Sequence, residues 1–406
     1  MKKIRALAVS LAVAAPPAAA QLPPTVSLAE VMGIVQSSPR VAVSAREADI
    51  ARAERSAAGA LANPTLSIGR STPSGGERTV FDANSQQQAT VELPVPVFGQ
   101  RGARVRAADL QVERAQSQLR LTLAETRRLA GLAFVRLLGA QESHAARRAA
   151  AAAVERIRGL VAGREASGMA SRYDVARADA EAALAALGVQ RAATEVNEQA
   201  AALAALVDAP GWRPRASGTL AELRAELGDT PADLAANPAL RVARDETAAA
   251  EAKIDLARRE RFPVPALQLG RTWTSGPFGA ANFVGLTSEI PILDTRRAGV
   301  DRALAEHGAA RERERVVAAT LTAELAKQRE ALELRREALA RFERDLFERQ
   351  SSFLEMAESA YRLGRGSLFE LLDARRTQLE ASIARVELLT ALVEAQLELR
   401  GLAGEL

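Results

Sequence analysis

Cysteine is missing from all 406 residues. That excludes disulfides, thiolate metal sites and a lipid-modified N-terminal cysteine. Histidine is nearly missing too. His144 and His307 are the only two, neither sits in an H-E-x-x-H, and no Gly-Lys-Ser/Thr phosphate loop occurs. Without a cluster of cysteine, histidine or methionine there is no sign of metal ligation. The sequence offers no catalytic site and no cofactor site. After residue 20 no uncharged apolar run reaches membrane-helix length. A passage through lipid would therefore use β-strands, because closed barrels are the other way to satisfy backbone polar groups there.

The first twenty residues are of a different kind. Met1-Lys2-Lys3-Ile4-Arg5 is cationic, Ala6 to Val13 is apolar, and small residues end in Ala18-Ala19-Ala20. This predicts a secretory signal at 1–20, cut before Gln21; the apolar run is too short to span a bilayer. Its removal takes three basic residues and no acid from the 54 basic and 50 acidic residues, so the excess of four falls to one. A basic patch for nucleic acid is not supported. An exported chain without disulfides must gain its stability from packing or assembly.

Most of the rest reads as long helix, rich in alanine, leucine, arginine and glutamate. Val105–Gly163 and Val300–Leu363 run with few breakers, which predicts rods of about 90–100 Å. Leu325, Leu332, Leu339, Leu346 and Phe353 recur every seven residues, as do Leu372, Leu379, Val386 and Val393. Such a repeat predicts a seam against a neighbouring helix. Four short segments alternate instead with period two, at about 65–72, 88–97, 266–274 and 282–292. Each has about the length of a tilted membrane strand. Leu267, Leu269, Arg271 and Trp273 share one face of the third; Val284, Leu286, Ile290 and Ile292 share one face of the fourth. Gln88, Thr90, Glu92, Gln268, Thr287 and Glu289 are expected on a wet face, with Trp273, Phe278 and Phe283 near the outer interface and Phe98 near the inner one. The first pair of strands encloses a loop at Pro73–Gln87, the second one at Ser275–Ala281. Four strands cannot close a barrel, whereas three copies would supply twelve.

The chain repeats itself with a period near 200 residues. Ser38-Pro39-Arg40-Val41 corresponds to Asn237-Pro238-Ala239-Leu240, and Asn63 to Gly69 corresponds to Val264 to Gly270. Glu92-Leu93-Pro94-Val95 corresponds to Glu289-Ile290-Pro291-Ile292, and Gly168 to Val175 corresponds to Gly364 to Leu371. The expected organisation is a first repeat at 21–206, a connector at 207–231 and a second repeat at 232–406. Hairpin tips fall at about 168–171 and 364–367. The fold class is mainly α with a small β part: long antiparallel hairpins plus four strands per chain.

On these features the sequence resembles the TolC-type outer membrane factor family over essentially the whole mature chain. Phe98-Gly99-Gln100-Arg101-Gly102-Ala103-Arg104 and Ile290 to Arg297 with Gly299 resemble its CzcC-like heavy-metal and cation efflux branch. The resemblance implies a homotrimer in the outer membrane of a Gram-negative bacterium, with a twelve-stranded barrel in lipid and a helical tunnel across the periplasm. It implies a passive exit duct, partnered by a periplasmic adaptor and an inner-membrane RND-type pump. Coupling to type I protein secretion, or a soluble periplasmic coiled-coil scaffold, stays open at this point.

The resemblance also implies site residues. Tyr361-x-x-Gly364 followed by Glu370-Leu371-Leu372-Asp373-Ala374 is similar to the family's periplasmic entrance. Glu370 and Asp373, one helical turn apart, would be gate carboxylates. Their first-repeat counterparts are Asp174 and Arg177, and Arg172, Arg177 and Tyr361 would join the inter-hairpin contacts of a closed state. Gly366 stands where some members carry an arginine. Gly168, Ser171, Gly364 and Ser367 would form the tips that dock the adaptor.

Overall fold

The computed structural model describes residues 22–72, 85–228, 233–275 and 279–406. The signal at 1–20, the loop centre at 73–84, the connector's end at 229–231 and Phe278 lie outside the described residues.

Helix-forming composition gives helices of unusual length. After β1 (Thr25–Val26) come α1 (Leu28–Ile34) and α2 (Pro39–Gly59), then strands β2 (Thr65–Ser71) and β3 (Gln86–Pro94). The 67-residue α3 (Gln100–Ala166) follows and returns as α4 (Arg172–Leu206). Short β4 (Arg215–Ala216) and α5 (Leu220–Leu227) lead to α6 (Pro238–Arg259), β5 (Ala266–Thr274) and β6 (Ala280–Thr287). The chain closes with α7 (Arg297–Phe342), a π-helical turn (Glu343–Phe347), α8 (Glu348–Arg362) and α9 (Leu368–Ala403). At 1.5 Å per residue, α3 is about 100 Å long. Towards its start α3 meets α2 through Arg55–Asp109 and α6 through Ser117–Asp245; further along it meets α9 through Arg128–Glu398 and Arg136–Glu394.

The sheet order is β2-β3-β5-β6, all antiparallel, so the β3–β5 pair joins the two halves of the chain. The register sorts the side chains. Leu66, Val91, Leu269 and Val284 lie in one row, and Leu93, Leu267 and Leu286 in the next row on the same face. The other face carries Thr65, Glu92 and Gln268, then Ser67 and Thr90, then Gln88 and Thr272. The apolar face is uncovered; Ile68 is 79% exposed and Leu286 75%. Phe283 lies on the face opposite Val284 and Leu286, as alternation implies. Its row is that of Thr90 and Gly270, on the polar face. Its ring lies where a Cβ on Gly270 would be, at 2.2 Å. The strand ends differ from expectation: β3 and β6 begin two residues early and stop at Pro94 and Thr287. Proline at 94 and 96 removes ladder donors. Past Thr287, β5 has no residue left to pair, because Ala266 is its first.

Most of the dry core lies round the middle of α3 and towards the C-terminal ends of α4 and α9. Phe134, Leu137 and Leu138 of α3 and Leu389, Leu392 and Leu397 of α9 are fully buried, together with Leu203 and Leu220. Each such side chain contributes roughly 1.5–3 kcal/mol by burial. The described part of the connector, 207–228, belongs to this core. β4 pairs in parallel with β1, Trp212 donates to the Pro23 carbonyl at 2.9 Å, and Leu220, Leu223 and Leu227 are buried.

The seven-residue seam holds for three positions and then changes phase. Leu325, Leu332 and Leu339 are buried, but Leu346 is 44% and Phe353 46% exposed. The π-turn takes up one extra residue, and the buried positions continue at Leu354 and Tyr361. In α9, Leu372 and Val393 are buried, whereas Leu379 and Val386 are half-buried.

Candidate functional site: the paired hairpin tips

Both tips are built from the same local parts. At the end of α3, Gly168 takes φ +74°; at the end of α8, Gly364 takes φ +73°. Only glycine reaches that region without a Cβ penalty. The Gly168 amide donates to the Glu165 carbonyl and the Met169 amide to the Arg164 carbonyl; Gly364 donates to Tyr361 and Arg365 to Ala360. These bonds satisfy the last carbonyls of each helix.

The returning helices begin with capping boxes. The Asp174 amide donates to the Ser171 hydroxyl at 3.1 Å, and Asp174 Oδ2 accepts from the Ser171 amide at 3.0 Å. The Glu370 amide donates to the Ser367 hydroxyl at 3.2 Å, and Glu370 Oε2 accepts from the Ser367 amide at 2.9 Å. Hydrogen bonds from the Ser171 backbone, and then from its hydroxyl, hold the Asp174 carboxyl below its ordinary value. Asp174 and Glu370 therefore have a local task that the entrance motif does not announce. The signature Ser-x-x-Asp/Glu was present in the sequence. Glu370 and Asp373 are both exposed on α9, while Arg177, at the position equivalent to Asp373, is half-buried.

Above the turns the two hairpins are fastened to each other. A small apolar cluster joins Ile157, Val161 and Ala178 to Tyr361, Leu368, Leu371 and Leu372. Tyr361 is buried, and the Arg164 guanidinium lies over its ring, 4.5 Å from the centroid. The same guanidinium donates to the carbonyls of Tyr361 at 3.2 Å and Arg362 at 3.3 Å. It thus places a cation at the carbonyl end of α8, where the helix dipole favours one. Arg177 lies over the Phe369 ring at 4.9 Å, its Nε buried without a hydrogen-bond partner. Arg376 pairs with Glu181 at 2.8 Å. The turn leaves little room at Gly366, where a Cβ would meet Ala360 at 3.0 Å and Glu370 Oε2 at 3.2 Å.

Of the residues expected here, Tyr361 and Arg177 meet the opposite hairpin. Asp174, Glu370, Ser171 and Ser367 are engaged within their own turns, and Gly168 and Gly364 shape them. Arg172 and Asp373 are exposed. Arg164, Phe369, Glu181 and Arg376 were not foreseen. Their partners lie nearly 200 residues away in the chain, and no spacing marks such pairs. Met169, Tyr173 and Leu363 leave about 70% of their surface exposed at the tips. Among the described residues no cluster of three or more histidine, cysteine or acidic side chains could hold a metal. No helix among them is long and apolar enough to cross a membrane.

The chain is similar to known proteins. The nickel-cobalt-cadmium resistance protein NccC of Alcaligenes xylosoxydans xylosoxydans is 29% identical over 290 residues, 68% of this chain and 63% of its own length. The cobalt-zinc-cadmium resistance protein CzcC of Cupriavidus metallidurans is 23% identical over 304 residues, 73% of this chain and 71% of that one. The match to NccC therefore spans less than two thirds of that relative. Among solved structures, CusC has a TM-score of 0.76 at 16% identity, with 93% of this chain and 91% of that chain covered. The outer membrane protein VceC of Vibrio cholerae gives 0.72 at 18% identity, with 93% and 96% covered. Residues 232–405 match the family described as Outer membrane efflux protein.

Proposed function

We propose that the protein is one of three identical subunits of an outer-membrane channel, the passive exit duct of a tripartite efflux system. The observation that carries this is the sheet: one face of apolar rows that end at Arg70 and Arg271, one polar face, and outer strands β2 and β6 that each pair on one side only. Bare hydrocarbon on a sheet face suits lipid, and the polar face suits a water-filled lumen. An unpaired edge cannot stay in lipid. Three sheets joined edge to edge would leave none and give twelve strands.

Surface area supports the same reading. The chain exposes 25433 Å², against about 15,000 Å² for a compact monomer of its mass. An excess of about 10,000 Å² fits a subunit whose faces are covered by its copies and by lipid. The long helices would continue the duct through the periplasm, with the paired tips at its inner end. There the Arg164–Tyr361 and Arg177–Phe369 contacts would hold the gate closed. Three copies of Glu370 and Asp373 would place six carboxylates round the axis, favouring cations. The exposed tips around Gly168–Ser171 and Gly364–Ser367 would meet a periplasmic adaptor, behind which stands an RND-type pump. The names of NccC and CzcC suggest nickel, cobalt, zinc and cadmium as cargo.

Fractionation tests the core of this reading. The mature protein is expected in the outer membrane as a trimer that conducts in planar bilayers. Recovery only as a soluble periplasmic monomer would refute it. Loss of the gene is expected to raise sensitivity to cobalt, zinc or cadmium; unchanged sensitivity would remove the metal assignment.

A further inference from the structure

The seam that α7 presents to α9 has two possible continuations in the sequence. In the structure it runs through the π-turn to Leu354 and Tyr361, both 7% exposed. One residue earlier stand Leu346, Phe353 and Ala360, which would continue the spacing of Leu325, Leu332 and Leu339 in an uninterrupted α-helix. Both sets are apolar and spaced by seven. Exchanging one for the other needs only that the π-turn become α, which turns everything below it by one residue, about 100°.

The occupied register is clamped from α9. Arg385 Nε donates to Glu343 at 3.0 Å, and its guanidinium lies 5.0 Å from the Phe347 ring centroid. Lower down, Arg375 pairs with Glu358. This register also carries a flaw: Gln350 is buried and its amide nitrogen has no hydrogen-bond partner. In the other register Gln350 leaves the seam for Arg349, whose long stem can carry its charge to solvent. Ala357 takes the place of Glu358, and Ala360 that of Tyr361. A π-turn inside a long α-helix is a recognised place for a hinge. A helix with two apolar registers is a bistable element of the kind that switching requires.

We propose that α8 is a two-register helix, and that the gate opens when the π-turn is lost and α8 turns so that Tyr361 leaves Arg164. The proposal rests on the gate reading given above. The test uses the full trimer, whose lack of cysteine makes engineered thiols unambiguous. Arg375→Cys with Glu358→Cys should crosslink in the resting channel. Arg375→Cys with Ala357→Cys should crosslink only once the gate is opened by Arg164→Ala. Deleting Asp345 removes the extra residue, so that Phe347, Leu354 and Tyr361 keep the spacing of Leu339 without a π-turn and the second register is forbidden. In the Arg164→Ala background this deletion should abolish the raised conductance. A double variant that conducts like Arg164→Ala alone would overturn the proposal. So would a 357/375 pair that stays uncrosslinked in the open channel while 358/375 still forms. If the deletion prevents assembly, the two cysteine pairs decide alone. If Arg164→Ala leaves conductance unchanged, it is the gate reading that fails; crosslinking of 357/375 by a pump-engaged trimer would then still read the register.

Discussion

Arg164→Ala tests the proposed closed state at the contact that fastens the two tips. The substitution removes a guanidinium lying over the buried Tyr361 ring and its two hydrogen bonds to the end of α8. The cation–π contact is worth about 1 kcal/mol at a partly exposed site. The charged hydrogen bonds, discounted for solvent, add about another 1 kcal/mol. A loss of about 2 kcal/mol per subunit changes the closed-to-open ratio about 30-fold if subunits act alone. If all three move together, about 6 kcal/mol is lost, or about four decades. A closed state favoured by less than that would no longer be the resting state. Single-channel recording in planar bilayers reads this directly as a raised resting conductance and open probability. Two companion variants separate causes. Tyr361→Phe keeps the ring under the guanidinium and should behave like the parent. Arg164→Lys keeps the charge but loses the planar fork, and should fall between parent and alanine. Resting conductance unchanged in Arg164→Ala would refute the clamp, as would a Tyr361→Phe variant as leaky as Arg164→Ala.

Other consequences are more local. Ser171→Ala and Ser367→Ala each remove an N-cap and should cost about 1 kcal/mol, read as a lower melting temperature of the purified trimer. The Asp174 carboxyl is held low in the folded chain, so its contribution is present above the ordinary carboxylate range and is lost as pH falls through the lowered value; the melting difference between parent and Asp174→Ala should shrink as acid is added, and a constant difference would argue against the cap as its source. Glu370→Gln with Asp373→Asn should reduce cation selectivity, measured as a shift in reversal potential under a salt gradient; an unchanged potential would reject the carboxylate ring. Gly270→Ala drives a methyl into the Phe283 ring and should lower the yield of trimer, with recovery in the Gly270→Ala/Phe283→Ala pair.

Much of the fold was legible because its two periods are clean. Strand faces follow from alternation alone, and the pairing of Leu66 with Val91 and of Val91 with Leu269 gathers residues of one kind into rows. Phe283 keeps the alternation, but alternation does not say which glycine lies across the ladder, so its cover of Gly270 was not legible. The heptad reading was right as far as Leu339 and wrong for Leu346 and Phe353, since a π-turn leaves no mark in a run of good helix formers. At the tips, the turn glycines were readable from their spacing. The caps were readable too, from Ser171-x-x-Asp174 and Ser367-x-x-Glu370. The fastening was not. Arg164 is one of many arginines on a long helix, and only the folded chain sets it against Tyr361.

The two tips are alike in their turns and caps, but that likeness does not explain why they hold together. Copies of one hairpin would present like to like. In the first half Arg164 and Arg177 supply cations; in the second, Tyr361 and Phe369 supply the rings they cover. The position equivalent to Arg177 is Asp373, and the one equivalent to Phe369 is Tyr173 at an exposed tip. The turns and caps, which need only local geometry, stayed the same in both halves. The faces that meet became complementary, which lets one hairpin recognise the other within a chain. In the proposed trimer, a duct built from six hairpins would alternate two kinds around its axis, and opening it would require each unlike pair to part while every turn stays intact. The contacts placed at the tips fit that division: the bonds that shape each turn are internal to it, and those between hairpins run through two arginines, one ion pair and a small apolar cluster.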